Sequence, residues 1–331
     1  MTSTDSIVVV GAGAVGSYFG ALLARAGARV TLIGRAAHVE AIRRDGLRLQ
    51  TAAGIETAVG VAADTGYASL RDADLILCCV KSAATEALAR AIAPLLRPDA
   101  VVLSLQNGVE NPQRLARHLP CAVVAGVVYA ALSLPAPGLV RHAGGGTLVL
   151  GAWPPDPAAP GVPAVAPARL QAIAALWAAA GVEVRLSGHA YAELWHKLAV
   201  NCAWNAISAL TQADYATLAA DAPARALQLE LLREAVAVAR AEGQGLELEE
   251  LRAAVGRIAL AMPTQRSSTA QDLAAGKPTE IDDLNGAVVR LGARHGLATP
   301  FNAALTALVR LRQNAACSRS AQTETGPRSR L

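Results

Sequence analysis

The sequence predicts an α/β protein in two parts. A doubly wound sheet is expected over residues 1–188, followed by an all-helical domain over residues 189–316. Three observations lead there. β-Branched runs alternate with helical patterns through the first half. A glycine-rich turn joins the first such run to the first helical pattern. Beyond Ala190 strand signals vanish, while helical ones persist almost to the end.

The first strand, residues 7–10, runs into Gly11-Ala12-Gly13-Ala14-Val15-Gly16, a Gly-x-Gly-x-x-Gly turn. An apolar helical stretch follows, then Gly27 and a second β-rich run over residues 28–33. Each glycine has a physical task in dinucleotide binding. Gly11 allows a sharp turn, Gly13 lets a pyrophosphate approach the backbone, and Gly16 allows close helix–strand packing. The helix start offers unpaired N–H groups and a positive dipole end to phosphates. This predicts a Rossmann-type domain. The second strand ends in Gly34-Arg35, with His38 nearby and no Asp or Glu in position for a ribose 2′-hydroxyl. Arginine forks onto phosphate oxygens, so Arg35 favours a 2′-phosphate and hence NADPH over NADH.

A hairpin is expected from residues 47–50 and 55–61, turning through Ala53-Gly54 and inserted in the doubly wound core. Residues 74–80, apolar without a break after Asp74, read as a buried parallel strand ending at Lys81. A helix over 83–96 should close at Pro98. Another buried strand, 101–105, ends at Gln106-Asn107-Gly108. Lys81 and Asn107 thus belong at the carboxyl rim of the sheet, where open α/β sheets bind ligands. A helix over 112–118, antiparallel strands over 122–132, 138–142 and 147–150, a Pro/Ala loop over 153–167, a helix over 168–180 and a strand over 182–186 complete the first part. The second part opens with a helix in which Lys197, Asn201 and Asn205 recur every four residues among apolar neighbours. That spacing puts them on one helix face, turning about 40° per step. Polar side chains on an otherwise buried helix are costly unless something polar pairs with them, which suits a ladder facing substrate or a polar network between helices. Further helices are expected over 222–242, 248–261, 284–295 and 301–311. Thr279 would cap a helix whose positive first turn suits Glu280 and Asp282.

Composition narrows the alternatives. At 331 residues the chain can form about two domains. Aromatics make up only 3% of it, so alanine-rich helices in close contact are expected. No uninterrupted apolar run reaches the ~20 residues of a membrane span. Asp5 and the lack of a basic leader argue against a signal peptide, so a cytoplasmic protein is expected. The five cysteines show no metal-type spacing and read as reduced thiols. Histidines are scattered, so no metal site is expected. The net charge of +4 is small and dispersed, against nucleic-acid binding. Residues 317–331 are expected to be a disordered tail. The alanine-rich helix surface is compatible with a homodimer.

The combination of Gly11-Ala12-Gly13-Ala14-Val15-Gly16, Val80-Lys81, Gln106-Asn107-Gly108, Glu193-Leu194-Trp195-His196-Lys197-Leu198-Ala199-Val200-Asn201-Cys202, Ser267-Ser268 with Gln271-Asp272, and Thr279-Glu280-Ile281-Asp282 with Asn285-Gly286 resembles the ketopantoate reductase (2-dehydropantoate 2-reductase) family. These motifs keep the family's order and span nearly the whole chain. The resemblance implies NADPH-dependent reduction of ketopantoate, a small 2-oxo acid, to pantoate in pantothenate biosynthesis, at a site in the cleft between the two domains. It implies that Lys197 is the proton donor and that Asn201, Asn205 and Ser268 bind substrate. It further implies that Asn107 touches both nicotinamide and substrate. The glycine loop, Arg35, Lys81, Ala131 (through its backbone) and Glu280 would contact cofactor, with Glu280 also able to help hold Lys197 charged. The chain departs from the family at Gln265, where an asparagine is common, at Tyr215, near the place of another substrate-contacting asparagine, and at Ala206, where a proline often stands. These changes bear on the choice of 2-oxo acid. The alternatives are a reductase of a different 2-oxo acid, a 3-hydroxy-acid or polyol-type dehydrogenase, and an NADPH-sensing protein without turnover.

Overall fold

The structure, a computed structural model, describes residues 6–58, 60–153 and 163–324, with residues 316–324 as backbone only. It divides into two compact units, Met1–Glu193 and Leu194–Leu331.

The first unit holds β1 (Ser6–Val10), α1 (Ala14–Arg25), β2 (Arg29–Ile33), α2 (Ala36–Asp45), β3 (Leu47–Thr51), β4 (Gly54–Ala58), β5 (Val61–Asp64), β6 (Leu75–Cys78), α3 (Thr85–Ile92), β7 (Val101–Ser104), α4 (Asn111–Ala116), β8 (Ala122–Ala136), β9 (Leu139–Ala152), α5 (Pro167–Ala179) and β10 (Val184–Leu186). Among the described residues they form a ten-stranded sheet in the order β4-β3-β9-β8-β7-β6-β1-β2-β5, with β10 on β9. The run β8-β7-β6-β1-β2-β5 is parallel. The chain leaves β1 toward β2 on one side and later returns to β6 on the other, so the sheet reverses direction at β1, where such folds bind ligands. Alternate residues of β1 feed two cores. Ile7 and Val9 pack with Phe19 of α1, Ile42 of α2 and Trp177 of α5. Val8 and Val10 pack with Leu88 and Ile92 of α3 and Leu115 of α4. Burial on both faces is why these strands read as continuous apolar runs.

Several elements differ from the expectation. The hairpin β3–β4 lies at an edge of the sheet rather than within its core, because β3 pairs with β9. Its expected second strand is two: β4, antiparallel to β3, and β5, parallel to β2. The helix expected over 83–96 is α-helical only over Thr85–Ile92, flanked by 3-10 turns at Ser82–Ala84 and Ala93–Leu95. Pro94 lacks the N–H that would continue the α-helical ladder. The three segments expected between 122 and 150 are two long antiparallel strands, β8 and β9, with register shifts at Tyr129/Ala130, Ala131/Leu132 and Ser133/Ala136. Most of the expected Pro/Ala loop, residues 154–162, lies outside the described residues.

Helix α6 (Ala190–Thr211) crosses the division, and α7 (Tyr215–Ala220), α8 (Ala222–Ala241), α9 (Leu248–Ala261), α10 (Ser268–Ala274), α11 (Asn285–Arg294) and α12 (Pro300–Glu324) follow. Helices α7 and α10 were not expected. Asp214 caps the first of them, accepting from Thr217 N, and Ser267 caps the second, accepting from Ala270 N. Thr279 caps nothing: its N–H and hydroxyl both donate to Gln313 Oε1, at 2.8 and 2.9 Å. A polar brace holds the core of this unit. Glu234 of α8 accepts from the N–H groups of Phe301 and Asn302 and from Asn302 Nδ2. Asn285 Nδ2 donates to Asn302 Oδ1 and to the Cys202 carbonyl. Helix α12 runs past the expected end at 311, through the start of the expected tail, because no Pro or Gly interrupts residues 312–324. The rest of that tail, 325–331, lies outside the described residues. No helix among the described residues is long and apolar enough to cross a membrane.

Candidate active site

In the first unit the expected cofactor residues gather at the carboxyl rim of the parallel strands. The Gly11 and Ala12 N–H groups donate to the Ile33 carbonyl at 3.0 and 2.9 Å, fastening the turn after β1 to the end of β2. Gly11 has φ +99°, and a Cβ there would lie 2.6 Å from the Cys79 carbonyl carbon and the Val80 nitrogen. A Cβ on Gly16 would strike the Gly11 carbonyl oxygen and sit 2.8 Å from Val9 Cγ1. These two positions therefore require glycine for close approach. Gly13 is different: a Cβ there would meet nothing within 4 Å. Open space faces this residue at the start of α1, where the first N–H groups have no intrahelical acceptor. That opening fits a pyrophosphate against the backbone.

Arg35 follows β2 and is exposed at the N-cap of α2. Next to it His38 is buried. Its Nδ1 accepts from the Gly138 N–H at 2.9 Å, which leaves the proton of the neutral ring on Nε2, 3.0 Å from Ser17 Oγ. Burial, and then the Arg35 charge, push the His38 pKa below its ordinary value. His38 thus joins α2 to α1 and to the turn before β9. The sequence showed only its nearness to Arg35, since its partners lie 21 and 100 residues away. Lys81, exposed, follows the β6 strand, and Asn107, partly buried, follows β7. Ala131 lies farther along β8, past its last pairing with β7 at Ala125 and opposite Gly144 of β9. Among the described residues no cluster of metal-ligating side chains occurs.

In the second unit α6 carries Lys197 and Asn201, both partly buried, and Asn205, which is buried. Burial pushes the Lys197 ammonium down to about 8, against the opposing pull of the Glu280 carboxylate. Glu280, itself buried, precedes a 3-10 turn at Ile281–Asp283. Ser267 and Ser268 divide their work. Ser267 is buried, donating from Oγ to the Asn205 carbonyl at 3.2 Å and from N–H to Ser208 Oγ at 3.2 Å. This tie holds α10 to α6 beside Asn205 and leaves Ser268 exposed in the first turn of α10. The Tyr215 ring packs on Trp204, with centroids 4.6 Å apart. Each unit thus holds its own share of the expected residues, with Ala131 the farthest along its strand.

Comparison with known proteins agrees over both units. The family described as ketopantoate reductase PanE/ApbA matches residues 7–155, and its C-terminal counterpart matches residues 190–313. The 2-dehydropantoate 2-reductase of Halobacterium salinarum is 34% identical over 309 residues, covering 93% of this chain and 98% of that protein. A crystal structure of a PanE/ApbA family ketopantoate reductase from Ralstonia eutropha superposes with a TM-score of 0.84 at 45% identity, covering 94% of this chain and 99% of that one. A D-mandelate dehydrogenase in complex with NADH and anilino(oxo)acetate superposes with a TM-score of 0.82 at 26% identity, with coverage of 94% and 99%.

Proposed function

That this chain belongs to the ketopantoate reductase family, over both of its units, is the premise from which we propose that it reduces 2-dehydropantoate (ketopantoate) to pantoate with NADPH, in pantothenate biosynthesis. The observation that carries this reading is the polar face of α6, where a partly buried lysine with a pKa brought down to about 8 heads a line of two amides.

Reduction of a 2-oxo acid needs a hydride at the carbonyl carbon and a proton at its oxygen. When bound, the reduced nicotinamide supplies the hydride. Lys197 Nζ holds the proton and gives it to the developing alkoxide. An acid with a pKa near working pH is both largely protonated and ready to release, and such catalysis is worth about 10²–10⁴-fold. Its positive charge also favours the oxyanion, while the Glu280 carboxylate works to keep it protonated. Asn201, Asn205 and Ser268 orient the substrate carboxylate and hydroxyl as neutral donors, which add no positive charge to depress Lys197 further. In the first unit, Gly13 and the start of α1 hold the pyrophosphate, Arg35 takes the 2′-phosphate, and Lys81, Asn107 and the Ala131 backbone contact the rest of the cofactor. Asn107 also touches substrate.

A second reading keeps the chemistry and changes the acid. The Trp204–Tyr215 pair lies next to Asn205, and the mandelate dehydrogenase likeness concerns a 2-hydroxy acid with an aromatic ring. The test is NADPH oxidation with ketopantoate, phenylglyoxylate and a short series of other 2-oxo acids. Preferential turnover of ketopantoate is expected. Preference for phenylglyoxylate would establish the second reading. Binding of NADPH without turnover of any of them would point to a sensor.

A further inference from the structure

Strand pairing stops at Cys78 on β6 and at Ser104 on β7, yet the residues expected to act, Lys81 and Asn107, lie beyond those ends. Something other than the ladder must hold the two loops. Five side chains do so. Gln106 Nε2 donates to the Val80 carbonyl at 3.0 Å and to Thr85 Oγ1 at 2.7 Å, and its Oε1 accepts from Ser104 Oγ at 3.1 Å. Thr85 Oγ1 donates to Asn111 Oδ1 at 2.8 Å. Asn111 Nδ2 donates to Ser82 Oγ at 2.8 Å and to the Asn107 carbonyl at 2.6 Å. Ser82 Oγ donates to that same carbonyl at 2.9 Å. Gln106, Asn111, Thr85, Ser82 and Ser104 are all buried.

The donors balance. Each amide of Gln106 and Asn111 spends both its hydrogens, and each hydroxyl of Thr85, Ser82 and Ser104 spends its one. A closed network of this kind, out of water, is rigid and intolerant of losing a member. Its anchors on the main chain are the Val80 carbonyl, one residue before Lys81, and the Asn107 carbonyl, which takes two of the bonds. We propose that Thr85 and Asn111 are positioning residues that hold the Lys81 and Asn107 loops as one body and so fix where the Asn107 side chain meets nicotinamide and substrate. This rests on the reductase reading for what Asn107 touches. Neither Thr85 nor Asn111 need contact either ligand. They act through the Asn107 main chain, while the pyrophosphate is held elsewhere, at Gly13.

Thr85→Val keeps the shape and removes the hydroxyl, leaving Asn111 Oδ1 and one Gln106 N–H without partners. The expected result is a kcat at least tenfold lower, NADPH affinity within threefold of the original, and recovery of kcat to within threefold in Thr85→Ser. Ser82→Ala, which removes one of the two bonds to the Asn107 carbonyl, should lower kcat several-fold and covers the case in which Thr85→Val fails to fold. Amide exchange should quicken in residues 80–84 and 104–109 of either variant and stay unchanged in residues 11–20. A kcat within twofold of the original in both variants, or NADPH affinity falling in step with kcat, would overturn the proposal, as would unchanged exchange in the two loops. If the unaltered protein turns over no 2-oxo acid, the reductase reading fails, and the exchange measurement still decides whether the network holds the loops.

Discussion

Lys197 and His38 show what burial does to single ionisable groups. With Lys197 at about 8 in the free protein, the kcat/KM for reduction should fall as pH rises through that value, because only the protonated amine can donate. Removing the opposing carboxylate with Glu280→Gln should move this alkaline limb to lower pH, and a limb that stays in place would rule Glu280 out of the role. Lys197→Ala should lower turnover by about 10²–10⁴-fold with NADPH still bound; full turnover would end the assignment. His38 bears on stability instead. Its folded pKa is depressed while its unfolded value is about 6.5, so the unfolded chain takes up a proton that the folded chain resists. The contribution of His38 is complete above about 6.5 and declines as pH falls from there toward the folded value. Denaturation midpoints should therefore drop more steeply as pH falls below about 6.5 in the original than in His38→Gln. Matching slopes would show that the imidazole is not the source.

At the scale of elements, the β1–α1 turn separates two kinds of glycine. Gly16 faces Val9 and the Gly11 carbonyl, whereas Gly13 faces open space. Gly16→Ala should lower the melting temperature, since overpacking costs about 1–3 kcal/mol. Gly13→Ala should leave the melting temperature nearly unchanged and weaken NADPH, because its new methyl group occupies the room the pyrophosphate needs. Equal effects of the two changes on melting would contradict this division. Local sequence revealed the spacing of the motif. The close approach that excludes a side chain at Gly11 and Gly16 involves Cys79, which arrives from far along the chain.

For the whole molecule, a ligand bound only by the folded state raises apparent stability, by about 2.7 kcal/mol at a hundred times its Kd. NADPH should accordingly raise the melting temperature more than NADH at equal concentration, and Arg35→Ala should erase the difference. Equal shifts for the two in the unaltered protein would remove the case for a 2′-phosphate contact at Arg35. Both cores of the first unit draw on residues of the same short strand, β1. Destabilisation there should reach the sheet as a whole rather than one face of it.

The sequence by itself determined the fold class, the central strands, the glycine turn and the polar face of α6. All of these follow from periodicities and spacings within about twenty residues, where chain geometry leaves few choices. It also carried the family through motifs that the comparisons match over both units. Only the tertiary structure decided that the β3–β4 hairpin lies at the sheet edge, because the partner of β3 is β9, some ninety residues later. The same holds for the division of labour between Ser267 and Ser268, for the Thr279 contact with Gln313, and for the network beneath Lys81 and Asn107. A buried hydrogen bond is chosen by whatever donor and acceptor the fold brings within 3 Å or so, and no local pattern records which distant residue that will be.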